Sequence, residues 1–378
     1  MKIALISFGY NKKTGIEILA DNIMQQIYRI DNGNQYILIV NEFVQDFFKG
    51  APGISKKVVK KMARSQVLKT LWLLFVYPIY SLAKGIDITI IFSGTSNFSL
   101  SPFTKNIVFI ADLGEFYIKN KYDKKRMIYR KYVTLPINKI MADLFIAISK
   151  STQEAIADKL NIAKEKIKLI YCGADDNIQK QNKNNARNKI IEKYGINNSS
   201  KIIITIGRID PVGKNLIRLI EAMDLICRGK SDCHLFLIGG ESNYSDASLV
   251  PGEIEKRGLN KHVTMTGYID VSVLNDFYNA ADLLVFPSVY EGFGLPLVEA
   301  MKCELPVACS DIQVFHEVGN DAVLYFDPYN AADIAEKIAL MFSDDDLREQ
   351  LIAKGKKRYP FFTWENSARE LIKLLSKL

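Results

Sequence analysis

The sequence predicts an α/β fold made of two mostly parallel sheets in tandem, and three observations carry that prediction. Short runs of isoleucine, valine and leucine alternate with segments of helical character along most of the chain. Each half opens on a strand that passes through a glycine-bearing loop into a helix, Ile3–Phe8 before Gly9 and Ile202–Ile206 before Gly207. Between the halves the composition changes at NIQKQNKNNARN, a polar, asparagine-rich stretch after Asp176 that reads as a linker. At 378 residues the chain is long for one domain and comfortable for two. The expected domains are 1–176 and 177–362, with a terminal helix over 363–378 packing back onto the first.

In the first half, Ile3–Phe8 leads to Thr14-Gly-Ile-Glu17, a capping-box pattern in which hydroxyl and carboxylate each satisfy an orphan N–H at a helix start. Further strands are expected at Tyr36–Val40, Ile86–Phe92, Asn106–Ile110, Leu144–Ile148 and Ile167–Ile170. The longest apolar run, LWLLFVYPIY over Leu71–Tyr80, has a proline inside and is too short to span a bilayer, which needs about 20 residues. It reads as a buried helix or as one dipping into a membrane surface. In the second half, Ile202–Ile206 passes through Gly207-Arg208 and Gly213-Lys214-Asn215 into a helix over Leu216–Arg228. Strands follow at Leu235–Ile238, Val263–Thr266, Leu283–Pro287, Val307–Cys309 and Val323–Phe326. A helix near Val273–Ala280 and one opened by Pro296 stand between them. The architecture read from this order is two doubly wound, Rossmann-like domains facing a cleft. No GxGxxG loop follows the first strand, so a dinucleotide cofactor has little support.

Composition narrows the class. Apolar content of 48% and charged content of 24% are those of an ordinary soluble globular protein. Five scattered cysteines, with none of the usual zinc spacings, read as reduced structural thiols of a cytoplasmic protein. Met1-Lys2 runs straight into a strand, so no signal peptide is expected. Charge is uneven: residues 1–180 carry 27 Lys and Arg against 15 Asp and Glu. Lys56, Lys57, Lys60, Lys61 and Arg64 recur at helical spacing just before the apolar run, and a second basic set spans Lys119 to Lys131. Such a basic stretch beside leucines and aromatics reads either as a solvated helix face or as contact with an anionic membrane surface, peripheral to the inner face of the plasma membrane. No nucleic-acid-binding module is recognisable. His234, His262 and His316 are expected in loops or at the surface, and Asp344-Asp345-Asp346 caps a helix rather than holding a metal.

The densest chemistry lies in LLVFPSVYEGFGLPLVEAMKCE, Leu283 to Glu304. A buried strand leads into a loop with Glu291, Gly292, Phe293 and Gly294, then into a helix holding Leu295, Pro296 and Glu299. Glycine on both sides of Phe293 allows a backbone to approach a ligand closely. The free N–H groups of a helix start form an anion site. Two carboxylates eight positions apart therefore flank a place suited to an anionic, hydroxyl-rich molecule.

With Gly207-Arg208, Lys214-Asn215, Gly267-Tyr268, Ala281-Asp282, Phe286-Pro287-Ser288, Glu291-Gly-Phe-Gly-Leu-Pro296, Glu299-Ala300, Asp311 and Glu317-Val318, the second half resembles the family-four retaining glycosyltransferases of the GT-B fold, glycosyl transferase group 1. The resemblance is close from about Ile202 to Phe362 and loose in the first half. It implies transfer of a hexose from a UDP-, GDP- or dTDP-type sugar to a glycan or polyprenyl-linked acceptor in surface polysaccharide synthesis, with retention, no metal and no other cofactor. Arg208, Lys214 and Glu291 are the implied catalytic groups. Arginine offers a planar fork and lysine a mobile charge to one diphosphate, and Glu291 faces the sugar hydroxyls. Glu299 suits a ribose diol, because a carboxylate accepts from two hydroxyls. Gly207, Gly267, Tyr268, Gly292, Phe293, Gly294 and Leu295 line the donor, and Thr14-Gly15 matches a loop that relatives place near its phosphate. Many relatives carry His-Asp after the strand matching Ile107–Ile110. Here the pair is Ala111-Asp112, leaving Asp112 and Glu115 as acceptor-side candidates for that histidine's role. A catalytically weak nucleotide-sugar-binding homologue or partner subunit, and a GT-B epimerase, are the alternatives. A glycosidase is disfavoured because the two carboxylates serve different ends of one ligand rather than one glycosidic bond.

Overall fold

A computed structural model of the protein describes residues 1–9, 15–46, 48, 54–60, 65–99, 101–118, 121–229, 232–241 and 247–378. They divide into two units. The first comprises Met1–Phe116, Asp123–Gly173 and Trp364–Leu378, and the second Tyr117–Tyr122 and Ala174–Thr363.

The first unit is built on β1 (Lys2–Ser7), β2 (Gln35–Asn41), β3 (Ile54–Val59), β4 (Ile88–Ile91), β5 (Lys105–Ile110), β6 (Leu144–Ala147) and β7 (Ile167–Leu169). They form one sheet in the order β3-β2-β1-β4-β5-β6-β7, with every neighbouring pair parallel. Central strands covered on both faces are apolar throughout, as in Ile3, Ala4, Leu5 and Ile6, all fully buried. The expected basic helix around Lys56 is absent, because Lys56 and Lys57 lie exposed on edge strand β3. Ile54, Val58 and Val59 favour an extended chain, and exposed lysines keep a sheet edge from pairing with another chain. Lys61, Arg64 and Lys119 lie outside the described residues.

The apolar run forms part of a helix over Gln66–Lys84. It is not a buried helix: one stripe, with Trp72, Leu73 and Tyr77, packs on the sheet, while Leu71, Phe75 and Ile79 face solvent. Its middle, Trp72–Val76, is a π turn in which the Tyr77 N–H donates to the Trp72 carbonyl. Pro78 explains the widening. A proline ring collides with the carbonyl four residues back, here Leu74 at the centre of that turn. The same device recurs in the helix over 124–141, where Pro136 follows a π turn over Arg130–Thr134 centred on Tyr132. The two helices lie side by side, the Thr70 and Tyr129 hydroxyls 3.0 Å apart. The last helix, Trp364–Leu375, packs on Gly15–Ile30, burying Trp364, Leu371 and Leu375.

The second unit is built on β8 (Lys201–Ile206), β9 (Cys233–Ile238), β10 (Val263–Gly267), β11 (Leu283–Phe286), β12 (Val307–Ser310) and β13 (Leu324–Phe326). Their order is β10-β9-β8-β11-β12-β13, again parallel throughout. The chain winds outward from β8 in one direction and from β11 in the other. Their carboxyl ends therefore flank the switch point at which open α/β sheets hold ligands. The expected linker is pinned within this unit: the Gln179 and Gln181 N–H groups donate to Asn275 Oδ1 and Asn279 Oδ1 at 2.9 and 2.6 Å. His234 is neither in a loop nor at the surface. It is buried in β9, its Nε2 2.8 Å from Thr264 Oγ1, and burial lowers its pKa to about 4. All five cysteines are free thiols, and only Cys227 is partly exposed.

Candidate functional site

The site grows from the ends of β8 and β11. After β8 the chain turns at Gly207 (φ 151°), whose N–H donates to Ile238 O at 2.9 Å. Neighbouring Gly239 approaches so closely that a Cβ on it would lie 1.9 Å from the Gly207 carbonyl oxygen. Only glycine at 239 lets the ends of β8 and β9 meet this way. Arg208 follows and is exposed, with no hydrogen-bond or ion-pair partner among the described residues. Asp210 then shapes the loop, its Oδ1 accepting from the Val212 and Gly213 N–H groups at 3.1 and 2.9 Å. Asn215, in the left-handed region (φ 55°), fastens the loop by donating from Nδ2 to Pro328 O at 2.6 Å.

That loop meets the one after β11, where the Val289 N–H donates to Gly213 O at 3.2 Å. The junction brings Lys214 to Glu291: Lys214 Nζ is paired with Glu291 Oε1. The ammonium stands 5.2 Å from the Phe286 ring centroid, which gives it an aromatic floor. Phe286 in turn stacks on Phe315 with centroids 5.0 Å apart. Glu291 precedes Gly292, buried Phe293 and Gly294, whose φ of 103° opens the Leu295–Lys302 helix. A Cβ at Gly294 would also press to 3.0 Å from the Phe315 ring. Arg208 and Lys214 flank a shallow depression with Gly207 and Ile209. A guanidinium and an ammonium so grouped can hold a phosphate-bearing anion.

Glu299 lies apart from this cation pair. It is 8% exposed, and its Oε2 accepts from the hydroxyl of fully buried Tyr278 at 2.6 Å. Burial raises its pKa to about 7, against the lowering contributed by the Tyr278 hydroxyl and the Asp175 N–H. Tyr278, desolvated beside that carboxylate, stays protonated and is a fixed donor. Gly267 ends β10 with its carbonyl accepting from the Gly239 N–H at 3.1 Å, and Tyr268 beside it is exposed. Asp282, matched as part of the family pattern, is structural. It accepts from the Ile202 N–H at 2.8 Å and pairs with Arg187 and Lys183 at 3.0 and 2.7 Å. Asp344 caps the Asp345–Arg358 helix, accepting from the Leu347 N–H at 2.8 Å. Among the described residues no group of three or more His, Cys, Asp or Glu is placed to hold a metal ion.

Of the candidates in the first unit, Thr14 lies outside the described residues, and Gly15 opens the Gly15–Ile30 helix. Asp112 stands half-buried after β5, its Oδ1 accepting from the Gly114 N–H at 2.8 Å. Glu115 is paired with Arg130 at 3.0 Å, the two side chains 2% and 4% exposed. A carboxylate so buried and neutralised is a poor proton acceptor. Sequence reasoning missed the Tyr278–Glu299 bond and the packing of Phe286 under Lys214. The spacing of 21 residues between Tyr278 and Glu299 leaves no local signal. Phe286, placed in the matched pattern directly before Pro287, was the one visible hint.

Comparison with known proteins bears on this geometry. Residues 186–358 match the family described as glycosyl transferases group 1. The chain is 34% identical to the O-antigen chain mannosyltransferase B of Escherichia coli over 168 residues, 44% of this chain and 43% of that protein. It is 26% identical to the O-antigen chain mannosyltransferase RfbU of Salmonella typhimurium over 260 residues, 67% of each. The chain thus matches about half the length of the first of these relatives. The fold matches that of Anabaena Alr3699/HepE, solved in complex with UDP and glucose, with a TM-score of 0.78 at 18% identity across 100% of both chains.

Proposed function

Residues 186–358 belong to the glycosyl transferases of group 1, and from that premise we propose that this chain moves a hexose from a nucleoside-diphosphate sugar to a glycan or lipid-linked saccharide in surface polysaccharide synthesis. The observation that carries this reading is the convergence of Arg208, Lys214 and Glu291 at the β8/β11 switch point of that domain. The mannosyltransferase names of two relatives and the UDP and glucose bound by a structural neighbour support a nucleotide-sugar donor.

On this reading the donor's diphosphate sits against Arg208 and Lys214, next to the start of the Leu295–Lys302 helix. Charge builds on the leaving diphosphate as its bond to the sugar carbon breaks. Fixed cations aimed there favour the transition state over the ground state. Lys214 is already held by Glu291, so it needs little reorganisation. Glu291 orients sugar hydroxyls with its remaining acceptor capacity. The acceptor attacks on the face from which the diphosphate departs, with retention, and the residues named supply the charge stabilisation without a metal. Glu299 reaches the ribose only with the acceptor capacity that the Tyr278 hydroxyl and the Asp175 N–H leave over. The protein works in the cytoplasm at the inner face of the plasma membrane.

One observation favours the second reading, a weak transferase or partner subunit. Ala111 stands where the family resemblance implies a histidine, and Glu115 is committed to Arg130. A panel of radiolabelled UDP-, GDP- and dTDP-hexoses with polyprenyl-diphosphate-linked acceptors decides. Sugar transfer from one donor supports the first reading, and nucleotide binding without transfer from any donor supports the second.

A further inference from the structure

The outward face of the two π-containing helices in the first unit belongs to no site described above. On the Gln66–Lys84 helix, Val67, Leu71, Phe75, Ile79 and Leu82 form one stripe, each between 44% and 70% exposed. On the neighbouring 124–141 helix, Ile128, Tyr132 and Ile140 are 58% to 79% exposed. A helix on a soluble protein normally turns polar residues to water, so a contiguous apolar face of this kind marks a contact.

Both helices cover the same side of their sheet. Trp72, Leu73 and Tyr77 pack in one cluster with Ile6, while Leu135 packs in another with Ile91, Val108 and Phe145. Ile6 pairs with Ile91, Ile91 with Val108, and Val108 with Phe145 in the sheet register. Partners across a parallel ladder point to one face, so the two outward surfaces look away from the sheet together.

Charge identifies the occupant. Residues 66–84 and 124–141 contain no aspartate or glutamate, and Lys84, Lys124, Lys125, Lys131 and Lys139 are exposed among the apolar side chains. Apolar groups in the middle with cations in excess around them, the exposed Asp123 and Asp143 standing just beyond the two ends of the 124–141 helix, complement the acyl boundary and anionic headgroups of a lipid leaflet. A buried inner stripe fixes the Gln66–Lys84 helix to its own sheet, so the helix lies along a surface and does not cross it.

We propose that this face docks the chain onto an anionic lipid bilayer, with Phe75 and Ile79 inserted among the acyl chains and the lysines at headgroup level. This goes beyond the transfer reaction and does not depend on it. The test is flotation of the full chain with vesicles of neutral phosphatidylcholine, or of the same lipid with phosphatidylglycerol, at low and high salt. The chain is expected to float with the anionic vesicles and to be released by salt. Phe75→Glu/Ile79→Glu should lower the bound fraction about tenfold or more, and Lys124→Glu/Lys125→Glu/Lys131→Glu should abolish the preference for anionic lipid. All variants should keep the wild-type melting temperature, since the altered side chains are exposed. Failure of the wild-type chain to float, or unchanged flotation of Phe75→Glu/Ile79→Glu, would overturn the proposal. So would a dimer in light scattering that the same double variant splits, because a second copy would then cover the face. Resistance to carbonate extraction would also overturn it by placing the helix across the bilayer.

Discussion

Glu291 and Glu299 are eight residues apart, on either side of one short turn into a helix, yet they occupy opposite environments. Glu291 lies partly open to solvent, joined to Lys214 over the Phe286 ring. Glu299 is enclosed, bonded to the Tyr278 hydroxyl, and half-protonated near pH 7 because burial disfavours its charge. The contrast shows that a carboxylate's partners and access to water decide its use more than its place in a motif. A charge paired in the open can meet a ligand and re-pair. A charge held in a dry enclosure mainly sets the position of the elements around it, and offers a ligand only what its fixed donor leaves over.

The sharpest way to break the contrast is to remove the open pair. Lys214→Ala and Glu291→Ala should each lower kcat/KM for sugar transfer by about 10²–10³-fold or more. Both should leave thermal unfolding nearly unchanged, because a partly exposed ion pair contributes only about 0–1 kcal/mol. Steady-state kinetics and calorimetric melting on the same preparations check both halves. Equal losses of stability and activity would make the pair structural and erase the distinction.

Tyr278→Phe should act the other way. It strips the buried carboxylate of its hydroxyl donor and costs about 1–3 kcal/mol of stability at neutral pH, read as a lower denaturation midpoint. The Glu299 pKa should rise further, since desolvation then goes less opposed.

Glu299→Gln sharpens the point through pH. The folded-state pKa of Glu299 is raised from 4.5 to about 7, so between those values the folded chain binds a proton that the unfolded chain has released. The stability tied to that proton is complete below about pH 4.5 and is lost as pH rises to about 7 and beyond. The variant should flatten this part of the stability profile and be more stable than wild type at pH 8, by about 1–3 kcal/mol. Denaturant titrations at several pH values measure it, and identical slopes for both proteins would refute the buried-acid description.

The smallest expected effect is that of Arg208→Lys. Charge is kept and the planar fork lost, so transfer should slow about tenfold, mainly through kcat, with no change in stability.

Much of this was legible in the sequence. The tandem α/β organisation follows from apolar strands alternating with helices, a pattern set by local composition. The loops after β8 and β11 were recognisable because glycine, proline and charge recur there at fixed spacing, as at Gly207-Arg208 and Glu291 to Pro296. What local pattern cannot carry is pairing at a distance. Tyr278 meets Glu299, and Lys214 meets Glu291 and Phe286, only because distant strands end at one edge of a sheet. Lys56 and Lys57 misled for a related reason: lysines on an exposed edge strand and on a helix face share the same charge, and only Ile54, Val58 and Val59 around them favour the strand. A helix was legible over Leu71–Tyr80, but not its full extent over Gln66–Lys84, because Pro78 argues for an interruption that a π turn absorbs.

Titration calorimetry of wild-type protein and Lys214→Ala with UDP, GDP and dTDP tests the central claim most directly, since it reads the site without needing the acceptor. One nucleoside diphosphate should bind the wild-type chain, and Lys214→Ala should bind it about 100-fold more weakly, the loss of one charge-assisted contact to phosphate. Equal affinity of the two proteins, or no binding of any of the three to the wild-type chain, would contradict the assignment of the β8/β11 edge as the donor site.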